Sequence, residues 1–151
     1  MLENKIPPPI IALVCALLMW GISTFSLEIS LPFFVRLSLI IVIFILGLFF
    51  IFSGLFSFRR AQTTIDPMKP EAASSLVSTG IYRLSRNPMY VGLVFLLLAL
   101  LVYLASALSI IGVLVFVLYI NAFQIKPEER ALMRKFGADF AEYKSRVRRW
   151  L

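Results

Sequence analysis

No histidine occurs anywhere in the 151-residue chain, and cysteine occurs once. The first absence excludes histidine general bases and imidazole-ligated metal sites. The second excludes an intrachain disulfide, a cysteine zinc site and a pair of thiol nucleophiles, so no metal is expected. Cys15 lies within an apolar run, where its chemistry suits a small buried hydrophobe. Acidic residues are also scarce, 8 against 15 lysines and arginines, for a net charge of +7. A basic balance can serve nucleic acid, but these basic residues flank apolar runs. Anionic lipid headgroups and membrane orientation explain them better, and no nucleic-acid partner is expected.

What the chain has in abundance is hydrocarbon. Hydrophobic residues make up 60% of it, the mean hydropathy is +0.92, and runs long enough to span a bilayer recur. These features describe a single all-α integral membrane domain over 1–151. The first span is expected over about 10–26, opened by Pro7, Pro8 and Pro9, because proline suits a helix start. With only Lys5 before it and no small-residue cleavage site followed by a soluble domain, it is expected to be a retained helix. Glu28 and Pro32 mark a short turn. The second span follows over about 33–58, with Arg36 snorkelling to the interface.

Charge and proline then rise, and 59–88 is expected to be a loop far longer than a bare helix connection. The apolar run from Met89 to Gln124 would be about 50 Å long as one helix, against a hydrocarbon core of about 30 Å. Two packed helices, about 89–104 and 108–125, fit better, with Ala105, Ser106 and Ala107 allowing a tight turn. That hairpin returns Lys126 and Glu128 to the side holding Arg83 and Arg86. Arg59, Arg60, Lys69, Arg83 and Arg86 share this side with the basic C-terminus. The positive-inside rule therefore puts both termini and the long loop in the cytoplasm. The expected location is a prokaryotic inner or plasma membrane, as a multi-pass protein. The expected architecture is four transmembrane helices plus a C-terminal amphipathic cytoplasmic helix over 127–147. In that helix Leu132, Phe136, Phe140, Tyr143 and Val147 form an apolar stripe suited to the membrane surface. Arg146, Arg148, Arg149 and Trp150 look like an interfacial anchor.

Two polar groups stand against this background. Gly80, Tyr82, Arg83, Arg86, Asn87, Pro88, Tyr90 and Gly92 form a charged turn at the start of the third span, where ionisable groups are expensive. Pro88 disfavours helix at Asn87 and fixes a helix start. The free N–H groups of that start could bind an anion, with Arg86 as a bidentate clamp. Tyr82 and Tyr90 offer rings to an adenine or a sulfonium cation. An ordinary helix start with a snorkelling arginine explains the turn equally well. The second group is Glu128 and Glu129, which follow Pro127. They could simply favour a helix N-terminus. On a helix they point about 100° apart, so one could face inward while the other pairs with an arginine.

The two groups at this spacing, followed by Leu132, Phe136, Gly137, Phe140 and Tyr143, resemble the isoprenylcysteine carboxyl methyltransferase family. The wider membrane group that includes phospholipid N-methyltransferases shares the Asn-Pro-Met-Tyr and Glu-Glu elements. The resemblance covers about 58–151. It implies a membrane methyltransferase with S-adenosylmethionine as cofactor, entering from the cytosol, and a lipophilic substrate entering from the bilayer. It assigns cofactor contact to Tyr82, Arg86, Asn87, Pro88, Tyr90, Glu128 and Glu129, and the catalytic roles to Glu128, Glu129 and Arg86. Many carboxyl methyltransferases of this family carry histidine where Asn87 stands, and asparagine cannot take a proton at neutral pH. That departure bears on the prenylcysteine substrate more than on methyl transfer.

A sulfonium carries an already activated methyl, so alignment is the main demand on the protein. An ionised carboxylate acceptor needs no base, whereas an amine would need Glu128 or Glu129 to accept its proton. The alternatives are a nicotinamide-dependent membrane reductase of the sterol-reductase type, which carries a similar arginine, proline and tyrosine turn, and a non-enzymatic membrane scaffold. The methyl acceptor and the oligomeric state stay open.

Overall fold

A computed structural model describes residues 6–61 and 75–151, leaving 62–74 of the expected loop outside the described residues. Every regular element among them is helical, apart from one isolated bridge between Glu28 and Ser106. The helices are α1 (Pro8–Ser23), α2 (Phe33–Arg60), α3 (Pro88–Leu104), α4 (Ile110–Ile120) and α5 (Lys126–Arg146). Prolines open α1 and α3 at their first helical positions, and Pro32 caps the start of α2. At 28 residues α2 is about 42 Å long, enough to cross a bilayer. The continuous helical stretch Ala107–Arg146 also passes that test, while α1 and α3 are shorter apolar helices. Large side chains point outward, with Phe34 80% and Trp20 63% exposed. Apolar surface on that scale fits contact with lipid.

The helices approach closely where side chains are small. A Cβ on Gly92 of α3 would meet Ile51 Cγ1 of α2 at 2.5 Å and the Gly47 carbonyl at 2.7 Å. Only glycine allows that backbone contact. On the other flank Cys15 and Met19 of α1 are buried against α3 and α4, as expected for Cys15. Ser109 Oγ donates to the Met19 carbonyl at 3.0 Å.

The hairpin turn falls where the small residues sit. Ala105 leaves α3 in the left-handed region with φ 48°, and Ile29 N donates to its carbonyl at 2.7 Å. Arg36 does more than snorkel. It pairs with Glu28 at 3.4 Å and donates to the Tyr103 carbonyl, tying the first turn to the second.

Two expectations about the tail are corrected. No break separates the fourth span from the tail helix at Pro127. A single wide turn, Asn121–Ile125, joins α4 to α5, with Lys126 N donating to the Asn121 carbonyl five residues back. Pro127 has no N–H to give, and in an α-helix its ring would strike the carbonyl four residues earlier. The extra residue in the turn relieves both problems. Nor does the apolar stripe lie on a membrane surface. At Gly137 (φ 48°, ψ −116°) the chain bends. The arm beyond carries Phe140 and Tyr143 into a buried cluster with Phe50, Val77, Ile81, Tyr82 and Val91. Leu132, Phe136 and Val147 pack around that cluster.

Candidate active site

The short turn Gly80–Arg83, the start of α3 and the whole tail meet at one end of the bundle. Tyr82 is buried, its ring edge-on to Phe58 at 5.4 Å, and its carbonyl accepts a 2.7 Å bond from Tyr143 Oη. Burial, with Tyr143 and Glu128 nearby, pushes the Tyr82 phenol well above its usual range. The Tyr143 phenol is raised by burial too, although Arg86 works against it. Both rings are therefore neutral packing groups at any ordinary pH.

Glu128 and Glu129 face opposite ways. Glu128 turns towards α3, where Tyr90 Oη donates to its Oε1 at 2.6 Å and Gln124 Nε2 donates to the same oxygen at 3.0 Å. Its side chain keeps some solvent access, but protein surrounds the carboxyl closely, and the carboxyl's own surroundings govern its proton affinity. Burial raises that affinity, the bonds from Tyr90 and Gln124 offset part of it, and the balance stands at about 7.

Glu129 turns towards two arginines. Arg86 Nη2 reaches its Oε1 at 2.7 Å, while Arg149 donates through Nη2 to Oε2 at 2.6 Å and through Nε to Oε1 at 3.1 Å. Burial alone would raise this carboxyl. The bonds from Arg149 and Arg86 outweigh it and hold Glu129 below the usual carboxylate range. In return Arg149 is held even more firmly protonated by its bond to Glu129.

Arg86 is the hub of this latch. Besides Glu129, its Nη1 donates to the carbonyls of Lys144 at 3.0 Å and Val147 at 2.6 Å, and its backbone N donates to the Arg148 carbonyl at 3.0 Å. Its guanidinium thus grips the tail. Its Nε is buried and has no hydrogen-bond partner among the described residues. Asn87 joins the same grip, with Nδ2 donating to the Arg149 carbonyl at 2.9 Å. Pro88 is fully buried at the first position of α3, setting the direction in which Tyr90 leaves.

The structure therefore brings Arg86, Asn87, Tyr90, Glu128 and Glu129 together and puts Tyr82 and Pro88 behind them as supports. Two members of the site are not evident from sequence pattern. Gln124 is a lone amide at the end of an apolar run, one turn before Glu128. Its cost at that depth is the signal that could have found it. Arg149 gives no such signal, since a basic tail reads as a membrane anchor. Here it is a partner of Glu129, and it also donates to Asn121 Oδ1 at 3.2 Å. Among the described residues no cluster of three or more acidic or thiol side chains could hold a metal.

A family model described as phospholipid methyltransferase matches residues 35–139, which include every site residue except Arg149. An uncharacterised protein of Haemophilus influenzae is 48% identical over 63 residues, covering 42% of this chain and all of that one. The protein-S-isoprenylcysteine O-methyltransferase of Saccharomyces cerevisiae is 35% identical over 80 residues, covering 52% of this chain and 33% of the yeast protein. The chain thus matches only about a third of the yeast enzyme's length. No solved structure matches it. The family model and the yeast relative both point to methyl transfer, which favours that reading over a reductase. With more than two thirds of its length matched by the model, the chain belongs to the phospholipid methyltransferase family of membrane methyltransferases.

Proposed function

We propose that the chain transfers a methyl group from S-adenosylmethionine to a lipophilic carboxylate or amine drawn from the bilayer. The observation that carries this reading is geometric: in a chain of the methyltransferase family, Tyr90 and Gln124 hold Glu128 through one oxygen, one residue from a carboxylate locked in a double ion pair. The donor set suits the cofactor. Glu128 can face a cationic centre, and the orphaned Arg86 Nε calls for an acceptor such as a carboxylate. When bound, the cofactor supplies a methyl already activated on sulfur.

The chain's own residues then have limited roles. Tyr90 and Gln124 hold Glu128 by Oε1, which leaves Oε2 to meet a cation or hold a proton. For an amine acceptor, Glu128 takes the proton that must leave nitrogen, and a proton affinity near 7 suits that exchange. For a carboxylate acceptor no proton moves, and the ionised Glu128 serves electrostatically. The Arg86–Glu129–Arg149 latch fastens the end of the tail to the start of α3 beside Glu128. The finer topology belongs to the same proposal: α1 and α3 complete four spans beside the two longer helices, with the site and both termini on the cytoplasmic side, as the arginine distribution favours.

Purified full-length protein in lipid is expected to bind labelled S-adenosylmethionine saturably, and Glu128→Gln to weaken that binding about tenfold. Absence of saturable binding in lipid and in detergent alike would sink the proposal. Incubation with labelled cofactor and a bacterial lipid extract then identifies the methyl acceptor.

A further inference from the structure

Next to the site, and sharing Glu129 with it, α5 carries a second feature for which the roles proposed above have no use. A groove of about 460 Å³ is lined by Lys126, Glu129, Arg130, Met133, Arg134 and Lys144. Four of these six residues are cationic; Arg130 and Arg134 also have interactions of their own, so Lys126 and Lys144 are the charges on which the inference rests. The lone acid among the six, Glu129, is already bound to Arg86 and Arg149, so its charge is offset from behind. We infer that this groove is the seat of an anionic phospholipid headgroup.

Three features favour that occupant. Lys126, Arg130 and Arg134 recur every four residues and so form one stripe along the first arm of α5. Lys144 lies ten residues past Arg134, about 15 Å further along a straight helix. The bend at Gly137 brings it into the same groove. The groove also begins where the apolar stretch ends, because Ile125 is fully buried and Lys126 is exposed. That boundary is where headgroup phosphates of a bilayer lie, and basic residues there attract anionic lipids. Met133 supplies an apolar lining suited to the glycerol and first methylenes of a lipid more than to a free anion. The inference concerns binding alone and stands whether or not the methyl donor proves to be the one proposed.

Native mass spectrometry of the full chain in detergent, titrated with phosphatidylglycerol or phosphatidylcholine, tests it. The first phosphatidylglycerol is expected to bind at least tenfold more tightly than phosphatidylcholine. Lys144→Gln should weaken it about fivefold, and Lys126→Gln with Lys144→Gln more than tenfold, without lowering the Tm. Arg148→Gln removes the same charge from outside the groove and should leave binding within twofold. Lys144→Gln alone keeps the test valid if the double variant folds poorly. Equal binding of the two lipids would overturn the inference. So would equal losses from Lys144→Gln and Arg148→Gln. Displacement of phosphatidylglycerol by millimolar inorganic phosphate would instead assign the groove to a soluble anion and overturn it equally.

Discussion

Glu128 and Glu129 are adjacent in sequence and carry identical side chains, yet the fold gives them opposite chemistry. Among the described residues Glu128 meets only neutral donors, Tyr90 and Gln124, inside a closely packed wall. Burial then dominates and its proton affinity rises to about 7. Glu129 meets two guanidinium groups through three short contacts, and the ionised form wins. The difference is one helical step of about 100°. Two adjacent carboxylates in a membrane enzyme can therefore play separate roles. One is held charged and fastens the structure, while its neighbour stays free to change its proton.

The variant that should disrupt that division most is Glu128→Gln. The amide keeps the shape and can still accept from Tyr90, so unfolding should shift by less than about 1 kcal/mol. Methyl transfer should fall about a hundredfold or more if the acceptor is an amine. A carboxylate acceptor would show a smaller fall with the same weakened cofactor binding. Glu129→Ala should do the reverse. It leaves Arg86 and Arg149 without their shared partner and should lower stability by about 2 kcal/mol. A fully buried pair would cost more, but Arg149 keeps 30% of its side-chain exposure. Thermal unfolding with and without cofactor separates the two variants.

Stability against pH separates the two carboxylates further. Glu128 binds its proton more tightly folded than unfolded, so its contribution is full below about 4.5 and is lost as pH rises through about 7. Glu129 has the lowered value, so its contribution is present above 4.5 and is lost as pH falls below it. Glu128→Gln should remove the decline of stability between these limits, and Glu129→Gln should remove the loss at acid pH. Scans of unfolding midpoint against pH check both. The smallest effect is expected from Tyr90→Phe, which removes one of the two bonds to Glu128 and should weaken cofactor binding about fivefold at neutral pH. An unchanged dissociation constant would show that Tyr90 does not tune Glu128.

Much of this is legible in the sequence. Prolines and small residues punctuate the apolar runs, so the starts of α2 and α3 and the 104–109 turn follow from local chemistry. The pairing of the Arg86–Tyr90 turn with Glu128 and Glu129 is legible through the hairpin that returns them to one side and through the family resemblance, since each group alone reads equally well as an ordinary helix start. The continuity of α4 with α5 is not, since Pro127 followed by two acids reads as a new helix start. Only a wide turn, which sequence periodicity does not reveal, makes the rod continuous. Nor could local pattern disclose Arg149. Its role depends on the Gly137 bend, which brings the far end of the tail back across the bundle.

The division of labour between the two carboxylates is tested most directly by the dissociation constant of S-adenosylmethionine, measured between about pH 5.5 and 8 on wild type, Glu128→Gln and Glu129→Gln. A cationic ligand should bind the ionised Glu128 best, so wild-type affinity should rise by up to about tenfold per unit until pH 7 and then level. Glu129→Gln should bind more weakly yet keep that slope, while Glu128→Gln should be flat. A slope that survives in Glu128→Gln but vanishes in Glu129→Gln would contradict the assignment.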